Sequence, residues 1–471
     1  DRVTPVCGRC ATHSRECIRG YKFRIKNSPF SKHQRWVRAP KRLKFIDETA
    51  VASGDADEQC LDAFSQDWPD SHSESSDTLQ TADTLSIWVS FPNFLIQILL
   101  IVRLLTWLSP FQLDVCDMCQ SFETVVPSRA GRCRVLLNAI FALSAKHLAH
   151  TSSYDPYASD RYHQECLSVL IPILNHEHHT MSDENLFAAT IILRVWEEME
   201  VKASGVDTTG YLLGIKAFVH HGTGGDGSRY LTPGSLSGAA FWVGLRQQIY
   251  NAVMFQTPVR INLVHSLVDR TLMPADDYGW ANRAVVHCAD VLNFCFDDGS
   301  QGTLGRAGGL EWWNELDEYN KRWTESLPSS FTPIYYRDPD VEKDQVFPEI
   351  WYQSACHVQH HLLAELFLVS FDPKIPRMGA QRKEAAKRIN ERIQTLVRKM
   401  CGIGLCNQWT PPSLFTACMA IAAFGDQFQD RRDQQACLDL LQRTEKDHAR
   451  PTEAVQKQMM KSWDMAEDMP S

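Results

Sequence analysis

The chain lacks the signatures of the commonest enzyme chemistries. Across 471 residues there is no His-Glu-x-x-His run of the kind that builds a zinc hydrolase site. The glycine-rich run at 222–227 (GTGGDG) lacks the Gly-Lys-Ser or Gly-Lys-Thr that a phosphate-binding loop needs for charge and magnesium. With no strand pattern ahead of it, that run reads as a flexible linker. The sequence does not open on a basic segment, a short apolar stretch and a small-residue cleavage site, so secretion is not expected and the fifteen cysteines are expected to be reduced thiols. Alternating strand patterns are scarce, no internal repeat emerges, and no heptad run long enough for a coiled coil follows the first 45 residues. These absences point to an all-α chain that is not an enzyme.

What is present is segregated charge. Residues 1–45 hold thirteen Lys and Arg against Asp1 and Glu16, a net +11, while the whole chain carries -9 and the remainder therefore -20. A basic head favours polyanions, because neutralising phosphates releases condensed counterions, and the acidic body would be repelled by nucleic acid. Residues 46–84 contain eleven Asp and Glu, no Lys or Arg, and many Ser. Such a composition cannot bury enough surface to offset chain entropy, which predicts a disordered acidic linker.

Residues 85–108 form the most apolar stretch, with no charge before Arg103. Its length would permit a membrane span, but Pro92, Asn93, Gln97 and the cost of Arg103 in lipid favour a buried helix, so no membrane partner is expected. Within it, 89–103 also has the character of a translated intron, since Val89 and Ser90 can be encoded by a donor splice consensus. Sequencing the transcript decides between the two.

From 109 to 471 the pattern is helical, apolar residues recurring three and four apart. In 183–201, Leu186, Phe187, Ile191, Leu193, Val195 and Met199 make the apolar surface, and Glu184, Arg194, Glu197, Glu198 and Glu200 supply the solvated positions. Thr180 and Asp183 have capping-box spacing ahead of it. Further helices are predicted at 134–149, 161–174, 238–255, 280–296, 351–371, 381–401, 413–424 and 431–447, stacked antiparallel. Glycines at 299–309 mark a loop, and Pro328, Pro333, Pro339 and Pro348 punctuate the stretch between two helical halves.

The residues with metal-ligand character are Cys7, Cys10 and Cys17, spaced Cys-x-x-Cys-x6-Cys among Arg9, Arg15, Lys22, Arg24 and Lys26. Two thiolates three positions apart can close on one tetrahedral zinc, and the third returns after a short turn, but three ligands are not a closed structural site. The run Pro5-x-Cys7-Gly8-Arg9-Cys10, six residues, Cys17, then Arg19-Gly20-Tyr21 resembles the second half of the fungal six-cysteine binuclear zinc cluster. The body motifs LLNAIFALSA (136–145), YHQECL (162–167), AFWV (240–243), RQQIY (246–250), WANR (280–283) and FPEIW (347–351) are similar to the fungal-specific transcription factor domain that follows such clusters.

That resemblance covers roughly three quarters of the chain and rests mostly on core positions. It implies that Cys7 bridges two zinc ions, that Cys10 and Cys17 are terminal ligands of the second, and that the chain is N-terminally truncated just after a third cysteine. It further implies a nuclear, sequence-specific regulator of RNA polymerase II genes. Its partners would be DNA in the full-length protein, the transcription machinery or a small-molecule effector, with a homodimer left open. Without the first half of the cluster, Arg9, Arg15, Lys22, Arg24 and Lys26 are left with phosphate contacts. The rival reading is a helical interaction or scaffold protein with no sequence-specific DNA binding.

Other chemistry-bearing residues have blander readings. His176, His178 and His179 with Glu177 read as a solvated turn, and His357, His360 and His361 as helix residues before metal ligands. Cys116 and Cys119, beside Asp114 and Asp117, read as packing residues, since acidic neighbours raise a thiol pKa. Trp242, Trp280, Trp312, Trp313 and Trp351 read as core.

Overall fold

The computed structural model describes residues 113–175, 183–199, 232–261, 263–264, 267–296, 306–340, 342, 345–353 and 355–465. The polypeptide divides into two units, 1–75 and 76–471, and all described residues belong to the second. Cys7, Cys10, Cys17, the basic residues around them, the acidic segment 46–84, the apolar segment 85–108, Thr180, the histidines at 176–179 and the GTGGDG run lie outside the described residues.

The described part is mostly helical, as the scarcity of alternating patterns predicts. In chain order it holds α1 (Ser121–Ala130), α2 (Arg134–Thr151), α3 (Pro156–Asn175), α4 (Glu184–Glu198), α5 (Leu236–Phe255), α6 (Asp277–Phe296) and α7 (Arg306–Ser326). A short antiparallel hairpin of β1 (Tyr335–Arg337) and β2 (Glu349–Trp351) follows. Then come α8 (Ala355–Ser370), α9 (Ala380–Cys406), α10 (Pro411–Phe424), α11 (Arg431–His448) and α12 (Glu453–Ser462). Among the described residues no helix is long and apolar enough to cross a membrane.

Local chemistry explains the ends. Asp183 caps α4 by itself, its carboxylate accepting from Asn185 N at 2.7 Å and Leu186 N at 3.3 Å, so Glu184 is free to pair with Arg129 of α1. Ser235 caps α5 by accepting from Gly238 N, and a Cβ on Gly238 would lie 2.4 Å from Thr232 O, so that turn needs glycine. Pro411 opens α10 at a position with no amide to lose, and Asp430 caps α11.

Packing follows hydrophobicity. α2 is buried almost all round from Val135 to Leu148, and α1, α3, α4 and α11 pack against it. α8 plays the same part in the second half, touching α6, α7, α9 and α10. α5 joins the halves by contacting α4, α6 and α10. α9 is buried chiefly from Ile393 to Gly404; its earlier part, AQRKEAAKRINER, is mostly solvated and held by helix-forming residues rather than by packing.

Two readings change here. The proline-punctuated stretch contains the hairpin, in register Tyr335↔Trp351, Tyr336↔Ile350 and Arg337↔Glu349, so Trp351 lies in a strand, exposed, and the helix after it begins at Ala355. Only three residues long, these strands offer too short a period to read. The glycine-rich loop ends at Arg306, where α7 begins, because its Trp and Leu positions bury against α6 and α8 and outweigh the weak helix preference of Gly308 and Gly309.

The hairpin is tied down by Asn407, whose Nδ2 donates to Ile350 O at 2.8 Å and whose Oδ1 accepts from Tyr352 N at 3.0 Å. Pro348 O comes so close to α9 that a Cβ on Gly402 would sit 2.1 Å from it. Gly402→Ala is therefore expected to lower stability by about 1–3 kcal/mol, read as a shift in urea midpoint. Gly309→Ala, with nothing within 4 Å, is the control and is expected to be neutral or stabilising by up to about 1 kcal/mol. Equal effects of the two substitutions would show that the close approach is not what constrains the position.

Candidate functional site

Where α4, α5, α8 and α10 meet the chain just after α11, the core leaves a cavity of about 80 Å³. Its apolar wall includes Val195, Val243, Phe415 and Met419. Its polar wall includes Glu198, Arg246, Gln247, Tyr250, His360, Thr416 and Arg450.

Beneath the polar wall lies a buried ion network. Arg194, whose side chain is 2% exposed, pairs with Glu197 at 2.5 Å and with Glu198 at 3.2 Å. Glu198, 4% exposed, also receives Arg450 Nη1 at 2.5 Å across 252 positions of sequence. The Arg450 guanidinium faces the rings of Tyr250 at 5.1 Å and Phe415 at 4.6 Å. Burial works against its charge, but Glu198 and Tyr250 outweigh that and hold the guanidinium protonated. Burial pushes the Tyr250 phenol up, Arg450 opposing it, so the ring stays neutral. Sequence periodicity assigns Arg194, Glu197 and Glu198 to a solvated face, and the fold corrects this, because α5 and the Arg450 segment cover that side of α4.

Two atoms on the cavity wall stand out. Among the described residues, Arg450 Nε has no hydrogen-bond partner, and neither has Oε1 of Gln247, a residue 6% exposed. Gln247 Nε2 donates to Ile191 O at 3.3 Å, which leaves Oε1 as the atom without a donor. The sequence signal that marks this site is polarity inside an apolar helix: Arg246, Gln247 and Tyr250 sit in the RQQIY motif, which looks like packing when taken alone.

Arg246 also organises the start of the described chain. It donates to Leu113 O at 2.7 Å and reaches Cys116 Sγ at 3.8 Å. Asp114 accepts from Phe122 N at 2.9 Å and Glu123 N at 2.8 Å, anchoring the first turn of α1, and burial pushes its carboxyl up to about 7 against those two donors. Cys116 is buried and its thiol is raised by burial, with Arg246 opposing; Cys119 is exposed, so only the first of the pair is a packing residue.

A second polar cluster lies between α6, α7 and α8. His287 Nε2 is 3.1 Å from Asn320 Oδ1, His361 Nε2 is 2.9 Å from Thr324 Oγ1, and the His361 ring stacks on Trp323 at 4.2 Å. Burial pushes His287 down to about 4 and His361 down to about 3. His360 turns to the cavity instead, so the neighbouring histidines do not converge. Among the described residues no group of three or more His, Cys, Asp and Glu is placed to hold a metal ion. Trp242, Trp280 and Trp313 are buried as expected, and Trp312 is half-buried. No family profile, curated protein or solved structure matches the chain.

Proposed function

We propose that the chain is the regulatory body, with part of the DNA reader, of a zinc-dependent, sequence-specific regulator of RNA polymerase II genes that works in the nucleus. One observation carries the reading: the run Pro5-x-Cys7-Gly8-Arg9-Cys10-x6-Cys17 lies in a head of net charge +11 joined to a body of -20. Counterion release draws such a head to phosphates, with Arg9, Arg15, Lys22, Arg24 and Lys26 as the contacts. Cys7, Cys10 and Cys17 supply three thiolates where a closed tetrahedral zinc site takes four, so this donor set does not complete a site by itself. The acidic, serine-rich run 46–84 separates the basic head from the body in sequence, and the helical body is the regulatory part. The protein binds and does not catalyse; DNA is its partner through the head, and the transcription machinery or a second copy through the body.

Zinc stoichiometry and DNA selection test this. This chain is expected to hold less than one tightly bound zinc ion and to bind duplex DNA without sequence preference. Five phosphate contacts predict an affinity falling on the order of 100- to 1000-fold between about 50 and 200 mM salt. Protein translated from the complete transcript is expected to enrich one DNA sequence and to lose it on chelation or with Cys7→Ser. Two tightly held zinc ions in this chain, or zinc-indifferent, unselective binding by the longer protein, would overturn the proposal.

One observation favours the rival reading of a helical interaction or scaffold protein. Ile334, Tyr335, Tyr336, Trp351 and Trp409 are all exposed around the hairpin, and the rings of Trp351 and Trp409 lie 5.3 Å apart. Aromatic surface left in water marks contact sites. Failure of the DNA selection leaves this as the better description.

A further inference from the structure

We propose that the hairpin, with the turn between α9 and α10, is a docking surface for an arginine-rich segment of a partner protein. The proposal deepens the reading of the body as a contact surface and rests on that reading alone; it needs no DNA reader.

Two observations select the same chemistry. The first is the rings. In register Tyr335 stands opposite Trp351, so both side chains leave the same face of the ribbon. The Trp409 ring lies 5.3 Å from that of Trp351, and Tyr336 is 55% exposed. Rings elsewhere in the body already have a cation against them, as Trp280 has Arg283 at 4.7 Å and Phe415 has Arg450 at 4.6 Å. Among the described residues no Lys or Arg lies over Tyr335, Tyr336, Trp351 or Trp409. The face of an aromatic ring is the negative part of its quadrupole, so these exposed rings attract a cation.

The second is charge. Residues 337–349 carry Arg337 and Lys343 against Asp338, Asp340, Glu342, Asp344 and Glu349, a net -3. Arg337 pairs with Glu349 at 2.5 Å, which leaves the excess on the acids of the hairpin loop. On α11, across the groove behind the hairpin, Asp439 and Arg443 offset one another. From Met400 to Gly425 there is no charged residue, so nothing next to Trp409 in sequence balances the loop. Rings and acids are also joined directly, because Tyr336 OH donates to Asp338 Oδ1 at 2.8 Å.

A carboxylate beside an aromatic face suits a guanidinium better than an ammonium. The guanidinium stacks flat on a ring and offers a fork of donors to a carboxylate, whereas the ammonium is a compact, strongly hydrated charge. From Tyr335 to Asp340 the strand extends for about 17 Å, a length that about six extended peptide residues cover. The partner segment is therefore short, extended and rich in arginine.

A fluorescein-labelled decapeptide with four arginines spaced by glycine and serine, titrated with the full chain at about 100 mM salt and read by anisotropy, tests the surface. It is expected to bind saturably, and the same peptide with lysine for arginine at least about fivefold more weakly. Trp409→Ala should weaken the arginine peptide at least about fivefold. Asp338→Asn combined with Glu342→Gln should weaken it about three- to tenfold, and by less at about 500 mM salt. Asn at 338 keeps an acceptor for Tyr336 OH, so this second variant does not depend on a damaged hairpin. Absence of saturable binding, equal affinity for the two peptides, or equal binding of an acidic peptide would each overturn the proposal. Binding indifferent to both variants would assign the peptide to the acidic run 46–84 instead and overturn it too. Self-association of the chain that Trp409→Ala abolishes would make a second copy the occupant, with the same consequence. Neither variant touches the thiols of the head, so this result and the DNA selection stand or fall separately.

Discussion

Replacing Glu198 by alanine is expected to lower the unfolding free energy by about 3–5 kcal/mol, the cost of removing one partner from a buried ion network. The size follows from where the charge sits. Glu198 serves Arg194 through one oxygen and Arg450 through the other, and all three side chains are shielded from water. Its loss leaves two guanidinium groups in the interior with only Glu197 beside them, and the unpaired charge, not the lost attraction, dominates the penalty. Urea unfolding should show the midpoint falling with little change in slope. Adding Arg450→Met to Glu198→Ala should recover part of the loss, since an apolar residue of similar length removes one stranded charge. Glu453→Ala, which breaks the exposed pair with Lys457 on α12, should cost less than about 1 kcal/mol. A Glu198→Ala loss as small as that of Glu453→Ala would show that the network is hydrated.

Acidification from pH 7 to 5 is expected to draw about 2 kcal/mol of stability from each of His287 and His361. Both rings have folded-state values depressed from 6.5, to about 4 and about 3. In that window the unfolded chain takes up their protons and the folded chain does not. Their contribution is thus present above pH 6.5 and is lost as pH falls below it. Burial is what resists protonation at both rings, against the Asn320 hydrogen bond in the case of His287, and at His361 the hydrogen-bond pattern shows where the proton would have to go. Thr324 Oγ1 donates to Asn320 O and so accepts from His361 Nε2, which assigns the bare lone pair to His361 Nδ1, a buried atom with no partner among the described residues. A proton there would be a buried donor facing no acceptor.

Asp114 works in the opposite direction. Its raised folded-state value means the folded chain takes up a proton first as pH falls through about 7, which adds stability on acidification. The test is therefore a difference. The pH dependence of unfolding in His287→Asn and His361→Asn should each be shallower than in the unsubstituted chain by about one proton. Variants that are uniformly less stable but keep the original pH dependence would show that these rings titrate normally and that burial does not hold them neutral.

Particular residues show how far the sequence could be read. The apolar spacing of Leu186, Ile191 and Val195 located α4, and the runs at 134–149, 238–255 and 431–447 each fall on an observed helix. Short or composition-poor elements were not legible: α1 carries Pro127, α7 begins among glycines, and three-residue strands are shorter than any dependable period. The site was less legible than the fold. On a helical wheel Arg194 and Glu198 are indistinguishable from any solvated i, i+4 pair, and Trp351 looks like core although it stands in water. Periodicity reports which faces of a helix differ, not what arrives to cover the polar one.

Helical character, the separation of a basic head from an acidic body, and the thiol spacing at Cys7, Cys10 and Cys17 are properties of the sequence alone, because local periodicity, charge and short-range ligand spacing do not depend on distant contacts. Which charges are buried, and where the cavity lies, was decided by the tertiary structure. Arg450 meets Glu198 while its guanidinium lies against Tyr250 of α5 and Phe415 of α10, and that contact between residues 252 positions apart turns an ordinary surface pattern into an interior ion network. The same packing leaves Gln247 and Arg450 with hydrogen-bonding atoms that no other described residue satisfies.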